Sequence, residues 1–172
     1  MHNNPLRLHT MEPKRWAYTY KMDIVFADNM IQTTVMSNEK EVERFIEELC
    51  VCLRCIIFHI HHATFIPELL KSFLYEEDNV FVGVAIHNDR RRLQEDYIIK
   101  ISNPMDLLVK VAEVLNDVNL HGRSLQRLAQ EVLGVDVPKD KNITCGAWDA
   151  YLLTKEQVQY AFINAFVSYE MG

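Results

Sequence analysis

The sequence predicts an α/β domain with a mixed sheet and helical cover. Three observations predict it. From Tyr18 the chain alternates, with Tyr18, Tyr20, Met22, Ile24 and Phe26 on one face and Thr19, Lys21 and Asp23 beginning the other, the period of a half-buried strand. Residues 80–86 (VFVGVAI) form a short continuous apolar run, the mark of a strand buried on both faces of a parallel sheet. Beyond residue 105 the apolar positions recur with helical spacing.

In chain order, Tyr18, Tyr20, Met22, Ile24 and Phe26 share one face of the first strand. Asp28-Asn29 is a turn signal, because both side chains bond to nearby backbone, and residues 30–35 return as the second arm of a hairpin. Asn38-x-x-Glu41 has the form of a capping box. Val42, Phe45, Ile46 and Leu49 follow at the spacing of an amphipathic helix. Residues 51–60 are apolar and β-prone, so a strand; Pro67 suits the first turn of a helix bearing Leu69, Leu70 and Phe73. Asp78-Asn79 is a second turn before the 80–86 strand. A charged helix over about 89–95 and an edge strand over 98–101 come next. Residues 105–115 and 123–133 are amphipathic helices, with Gly134 at a C-cap position. Thr154-x-x-Gln157 opens the last helix, whose stripe is Val158, Ala161, Phe162, Ala165, Phe166 and Tyr169.

Length and composition bound the function. A chain of 172 residues suggests one domain, over residues 16–172, behind a flexible arm at 1–15 that carries Arg7, Lys14 and Arg15. With 49% hydrophobic residues it can bury a core, which argues against disorder. Eighteen Lys and Arg against 24 Asp and Glu give a formal charge of −6, which excludes a general basic coat for nucleic acid. A polyanion partner then needs a local basic patch or bound cations. No apolar run approaches the ~18–20 residues of a membrane span, and the N-terminus has no signal-like apolar segment. Four cysteines in that setting are expected as reduced thiols, in an intracellular protein of the nucleus or cytoplasm without membrane contact.

Four constellations merit chemical reading. Cys50, Cys52, Cys55, His59, His61 and His62 are zinc-type ligands, but they fall largely within one expected strand, whose alternating faces keep them from converging. Buried thiols and edge histidines are the expectation. Arg90, Arg91 and Arg92 are placed to meet phosphate, yet Glu95 and Asp96 lie close by, and a solvated helix face is expected. Asp89 sits just past the C-terminal end of a strand, where open α/β sheets bind ligands; it equally suits a helix cap. Tyr160 and Asn164, four apart, share a helix face about 6 Å apart along the axis.

Taken together, these residues resemble a known family. RCIIFHIHHATFIPELLKSFL (54–74), FVGVAIHNDRRRL (81–93), LAQEVLG (128–134) and WDAYLLTKEQVQYAFINAFVSYEMG (148–172) are similar to stretches of plant Werner-syndrome-like 3′–5′ exonucleases, as is the opening hairpin YKMDIVFADNMIQTTV. These are DEDDy nucleases with an RNase D-like domain on the RNase H-like fold. The resemblance covers most of residues 16–172. It implies a mixed sheet flanked by helices, a nucleic-acid 3′ end (DNA or RNA) as partner, and Mg²⁺ or Mn²⁺ as cofactor. In such enzymes two cations held by four carboxylates activate water and stabilise the attacking and leaving oxygens, and a Tyr positions the water.

Residue by residue, Asp89 matches the second motif and Tyr160 the third motif's Tyr. The third motif's Asp is Asn164 here, and the first motif, D-x-E on the first core strand, is not found. Glu48-Leu49-Cys50 runs almost directly into VCLRCIIFHI. Glu47 and Glu48 sit on the preceding helix with the wrong spacing. One matched carboxylate, Asp89, remains for metal, and an amide supplies oxygen without charge. The resemblance therefore implies a degenerate site of Asp89, Tyr160 and Asn164, with cations held weakly or not at all, and an impaired or inactive enzyme. Two alternatives stand beside it: an active exonuclease with relocated acids such as Glu68, Glu76 or Glu77, and a protein-interaction module without catalysis. The fold is expected to lack one central strand, so that the sheet closes up, the hairpin slides in, or the domain is marginal. So neat a junction also has the form of a skipped exon or gene-model gap.

Overall fold

The computed structural model describes residues 18–26, 29–48, 54–117, 120 and 122–172. The N-terminal arm, the turn at Asp28, the junction at Leu49 and Cys50, and the thiol of Cys52 lie outside the described residues. The chain divides into two compact units. One comprises the described residues of Met1–Leu70 with Asn142–Phe162, the other those of Lys71–Lys141 with Ile163–Gly172.

In the first unit, β1 (Thr19–Phe26) and β2 (Asn29–Met36) form the expected antiparallel hairpin, with Thr19 opposite Met36 and Phe26 opposite Asn29. Alternation places Tyr18, Tyr20, Met22 and Ile24 in the core, as the period-2 pattern requires. The next strand, β3 (Cys55–Phe58), pairs parallel with β2, so this sheet is mixed and the hairpin sits directly against β3. Between them, α1 (Glu39–Glu47) starts at Asn38, whose side chain accepts from the Lys40 amide. Val42 and Phe45 of α1 pack on Met36, Ile56 and Phe58. At its C-terminal end Glu48 pairs with Arg54 at 2.5 Å, and Arg54, with Arg44, holds the Glu48 carboxyl below its ordinary range. A 3₁₀ turn (Ile60–His62) ends the stretch expected as strand 51–60, whose described ladder is only the four residues of β3.

Helix α2 (Glu68–Tyr75) follows buried Pro67. In the second unit, β4 (Phe81–Gly83) pairs parallel with β5 (Pro104–Asp106) as a separate two-stranded sheet. The 80–86 run therefore differs from its expectation. It is three residues of half-buried strand, then a turn, then the first residue of α3 (Ile86–Tyr97). A short apolar run does not distinguish a buried strand from a strand–turn–helix corner. Here Ala85, at φ 55°, turns the chain, and Val82 and Val84 pack on the Leu107, Val111 and Leu128 cluster.

The edge strand expected at 98–101 is likewise corrected. Ile98 takes φ 58° as the C-cap of α3, and the Ile99 amide returns to the Leu93 carbonyl. Ile99 and Ile101 are buried and Ile98 is exposed, so the alternation is present, but no ladder partner accompanies it among the described residues. Helices α4 (Leu107–Leu115) and α5 (Leu125–Val132) match their expectations, and Gly134 does take positive φ, at 68°. The one-turn α6 (Lys141–Thr144) was not expected. Helix α7 (Lys155–Met171) buries Val158, Phe162, Ile163, Phe166 and Val167. Ala165 and Tyr169, expected on that stripe, are exposed, because the apolar face is rotated toward Ile163 and Val167.

Candidate active site

Asp89 lies in the first turn of α3, exposed, where the amino-terminal dipole favours a carboxylate. The turn that delivers it is built around Asp106. One oxygen of that half-buried carboxylate accepts from the Ala85 amide at 3.2 Å and from Leu108 N at 3.0 Å, capping α4. Its other oxygen is 3.5 Å from Nδ1 of His87. Sequence reasoning missed Asp106; the available signal was an N-cap residue immediately before the apolar run at 107.

Tyr160 and Asn164 stand one turn apart on α7. The start of that helix is a reciprocal capping box. The Thr154 amide donates to Oε1 of Gln157 at 2.9 Å, and the Gln157 amide donates to Oγ1 of Thr154 at 3.2 Å. Nε2 of Gln157 also reaches the Ala147 carbonyl at 3.2 Å. Trp148 follows, anchored through Nε1 to the carbonyls of Ile143 and Thr144, and its ring lies 6.1 Å from that of half-buried Tyr160. Asn164 is half-buried, and its enclosed Oδ1 has no hydrogen-bond partner among the described residues. Among the described residues no hydrogen bond joins that oxygen to Asp89, although both residues belong to the second unit.

Of the acids named as relocated candidates, Glu76 accepts from Nδ2 of Asn79 at 3.3 Å and Glu77 is exposed. Among the described residues, no three of His, Cys, Asp and Glu gather to hold a metal ion. The histidines of the zinc reading serve the structure. His59 is buried, not at an edge, with Nε2 on the Trp148 carbonyl at 2.9 Å, and Nε2 of His62 bonds the Asp149 carbonyl at 2.9 Å. The two rings meet edge to face at 4.5 Å. Burial pushes the Cys55 thiol up to about 11, which keeps it a thiol rather than a ligand thiolate.

Residues 31–170 match a family model described as 3′-5′ exonuclease. The chain belongs to the 3′-5′ exonuclease family. Within that family it is 32% identical over 120 residues to the mouse (Mus musculus) bifunctional 3′-5′ exonuclease/ATP-dependent helicase WRN, a match covering 69% of this chain and 8% of that protein. It is 32% identical over 103 residues to human exonuclease 3′-5′ domain-containing protein 2, covering 60% and 17%. An Arabidopsis thaliana 3′-5′ exonuclease is 29% identical over 117 residues, covering 68% and 40%. The chain thus spans well under half the length of each of these relatives. Among solved structures, the EXD2 exonuclease domain soaked in Mn and Mg aligns with 22% identity over 81% of this chain and 86% of that one, at a TM-score of 0.45. Helices flanking small sheets are the mixed α/β arrangement of this exonuclease fold. Among the described residues no helix is long and apolar enough to cross a membrane.

Proposed function

We propose that this chain is a nucleic-acid-binding exonuclease domain whose hydrolysis of phosphodiesters at 3′ ends is impaired. The carrying observation is Asn164, one helical turn beyond Tyr160, where the resemblance calls for a carboxylate. The donors at the matched positions are one carboxylate (Asp89), one amide oxygen and one phenol. Two dications demand hard anionic oxygens, so this set does not fit a two-cation centre. Loss of even a residue that only supports a metal ligand lowers affinity or activity by roughly 10–100-fold. Tyr160, beside Trp148, corresponds by the resemblance to the tyrosine that orients water in the family. It has no matched pair of charges to work with.

The test is incubation of the purified chain with a recessed 3′ duplex and with single-stranded DNA and RNA, in Mg²⁺ and in Mn²⁺. No Asp89-dependent shortening is expected. Shortening that disappears in Asp89→Ala would overturn the reading and point to acids gathered from elsewhere in the chain.

A further inference from the structure

Helix α3 presents two chemically different faces. At about 100° per residue, His87, Arg91 and Gln94 fall within roughly 60° of one another, while Asp89 lies about 140–160° away. With Arg90, Tyr75 and Lys100 they line an open groove of about 550 Å³. An adjoining hollow of about 260 Å³ shares Tyr75 and Lys100 and adds Lys71. The larger groove carries three cations, Arg90, Arg91 and Lys100, against one carboxylate, Glu77, in a chain of formal charge −6. Arg91 also lies 3.5 Å from Glu95, but those side chains are 62% and 57% exposed, so water screens the pair and the guanidinium stays available to a stronger anion. The Tyr75 ring, 60% exposed, stands in both hollows.

We propose that this groove is a track for single-stranded nucleic acid, with a base stacked on Tyr75 and phosphates on Arg90, Arg91 and Lys100; it centres on the His87, Arg91 and Gln94 face of α3, and Arg90 stands at its edge, about 100° from Asp89. The inference rests on the nucleic-acid reading above and adds a second contact surface to it. The groove volume falls in the range that accepts nucleotide-sized ligands. Cations beside an exposed aromatic ring are the two elements of single-strand binding, because every unpaired base offers a face to stack. A duplex hides those faces and leaves Tyr75 without a role. The arginine run, expected from sequence as a solvated face, thus places two of its three members in the groove.

The test is fluorescence anisotropy with a fluorescein-labelled oligo-dT of about 15 nucleotides, in EDTA at about 50 mM salt. Wild type is expected to bind, with affinity falling steeply as salt rises. The double variant Arg90→Ala/Arg91→Ala should weaken binding at least ~10-fold and reduce the log–log salt slope by about 1.4, or 0.7 for each phosphate that is no longer neutralised. Tyr75→Ala should weaken it about fivefold or more, and Tyr75→Phe should not. Lys40→Ala, a cation removed from α1 instead, serves as the control, and circular dichroism verifies that each surface variant is folded. Wild-type binding left intact by the groove variants would overturn the track while the nucleic-acid reading survives. No wild-type binding would overturn both. Preference for duplex with a silent Tyr75→Ala would overturn the single-strand assignment.

Discussion

The Tyr18 hydroxyl donates to Nδ1 of His59, tying the start of β1 to the end of β3 across 41 residues of sequence. The direction follows from the other ring nitrogen. Nε2 faces the Trp148 carbonyl, which only accepts, so Nε2 carries the proton and Nδ1 presents its lone pair. Burial lowers the affinity of His59 for a second proton, with His62 and His61 adding to the effect against the Trp148 bond, and this favours the neutral ring that accepts from Tyr18. Burial likewise pushes the neighbouring Tyr20 phenol up to about 12 and keeps the Tyr18 phenol protonated, so both stay neutral.

A pH dependence follows. The unfolded chain takes up a proton near the ordinary histidine value of 6.5, and the folded chain resists it to lower pH. Stability is complete above that value and is lost as pH falls through the folded pKa, since the unfolded state then binds more protons. Urea unfolding of wild type should show a midpoint that declines from about pH 7 to about pH 5. In His59→Gln the decline should be shallower. An equal slope in both proteins would assign the titration to other groups.

Gly146 governs the loop that carries Trp148. A Cβ there would stand 2.9 Å from the Asn142 carbonyl oxygen and 3.2 Å from that of Ile143, both backbone atoms with little room to retreat. Gly146→Ala should cost about 1–3 kcal/mol, the range for overpacking. It should also raise the solvent accessibility of Trp148 as read by fluorescence quenching. A variant as stable as wild type would mean that the turn at 142–146 yields freely.

Asn164 buries an oxygen that no donor reaches among the described residues. Replacing such a group with an apolar one of similar shape is near neutral or stabilising, whereas charging it is not. Thermal melts in EDTA at neutral pH should therefore rank Asn164→Leu at or above wild type. Asn164→Asp should fall below wild type by about 1–3 kcal/mol. The reverse order would show that a cation or another donor already serves this position.

Ile98 adopts φ 58° while 78% exposed, a conformation that a β-branched side chain enters at a cost of about 1–2 kcal/mol. Ile98→Gly relieves that strain and adds back about 0.5–1 kcal/mol of unfolded-chain entropy. The net expectation is a modest gain of up to about 1 kcal/mol in denaturant unfolding. A loss would identify hidden packing by the Ile98 side chain.

Local rules carried much of the fold. The hairpin, α1, α4, α5 and the Thr154–Gln157 box each answer to periodicity or capping, which act over a few residues and so are written locally. The misjudged segments depend on partners far along the chain. The 80–86 run meets only a three-residue β5, and Ile99 and Ile101 are buried without a ladder among the described residues. Neither outcome is encoded within its own window. At the candidate site, Asp89, Tyr160 and Asn164 are assigned by the resemblance alone. Asp106 was hidden because its bonds to Ala85 and Leu108 reach 21 residues back and two forward at once. The arginine groove was hidden because Tyr75 and Lys100 join it from outside α3.

Gln157 explains why an amide, and not its acid counterpart, opens α7. Glutamate would close the box with Thr154 equally well, yet it has no N–H to offer the Ala147 carbonyl and would set two acceptors against each other in a site 5% exposed. The Ala147 carbonyl, next to Trp148 in the chain, is thus held to the start of α7 by one nitrogen, and an isosteric swap there should leave the helix intact while loosening that tie.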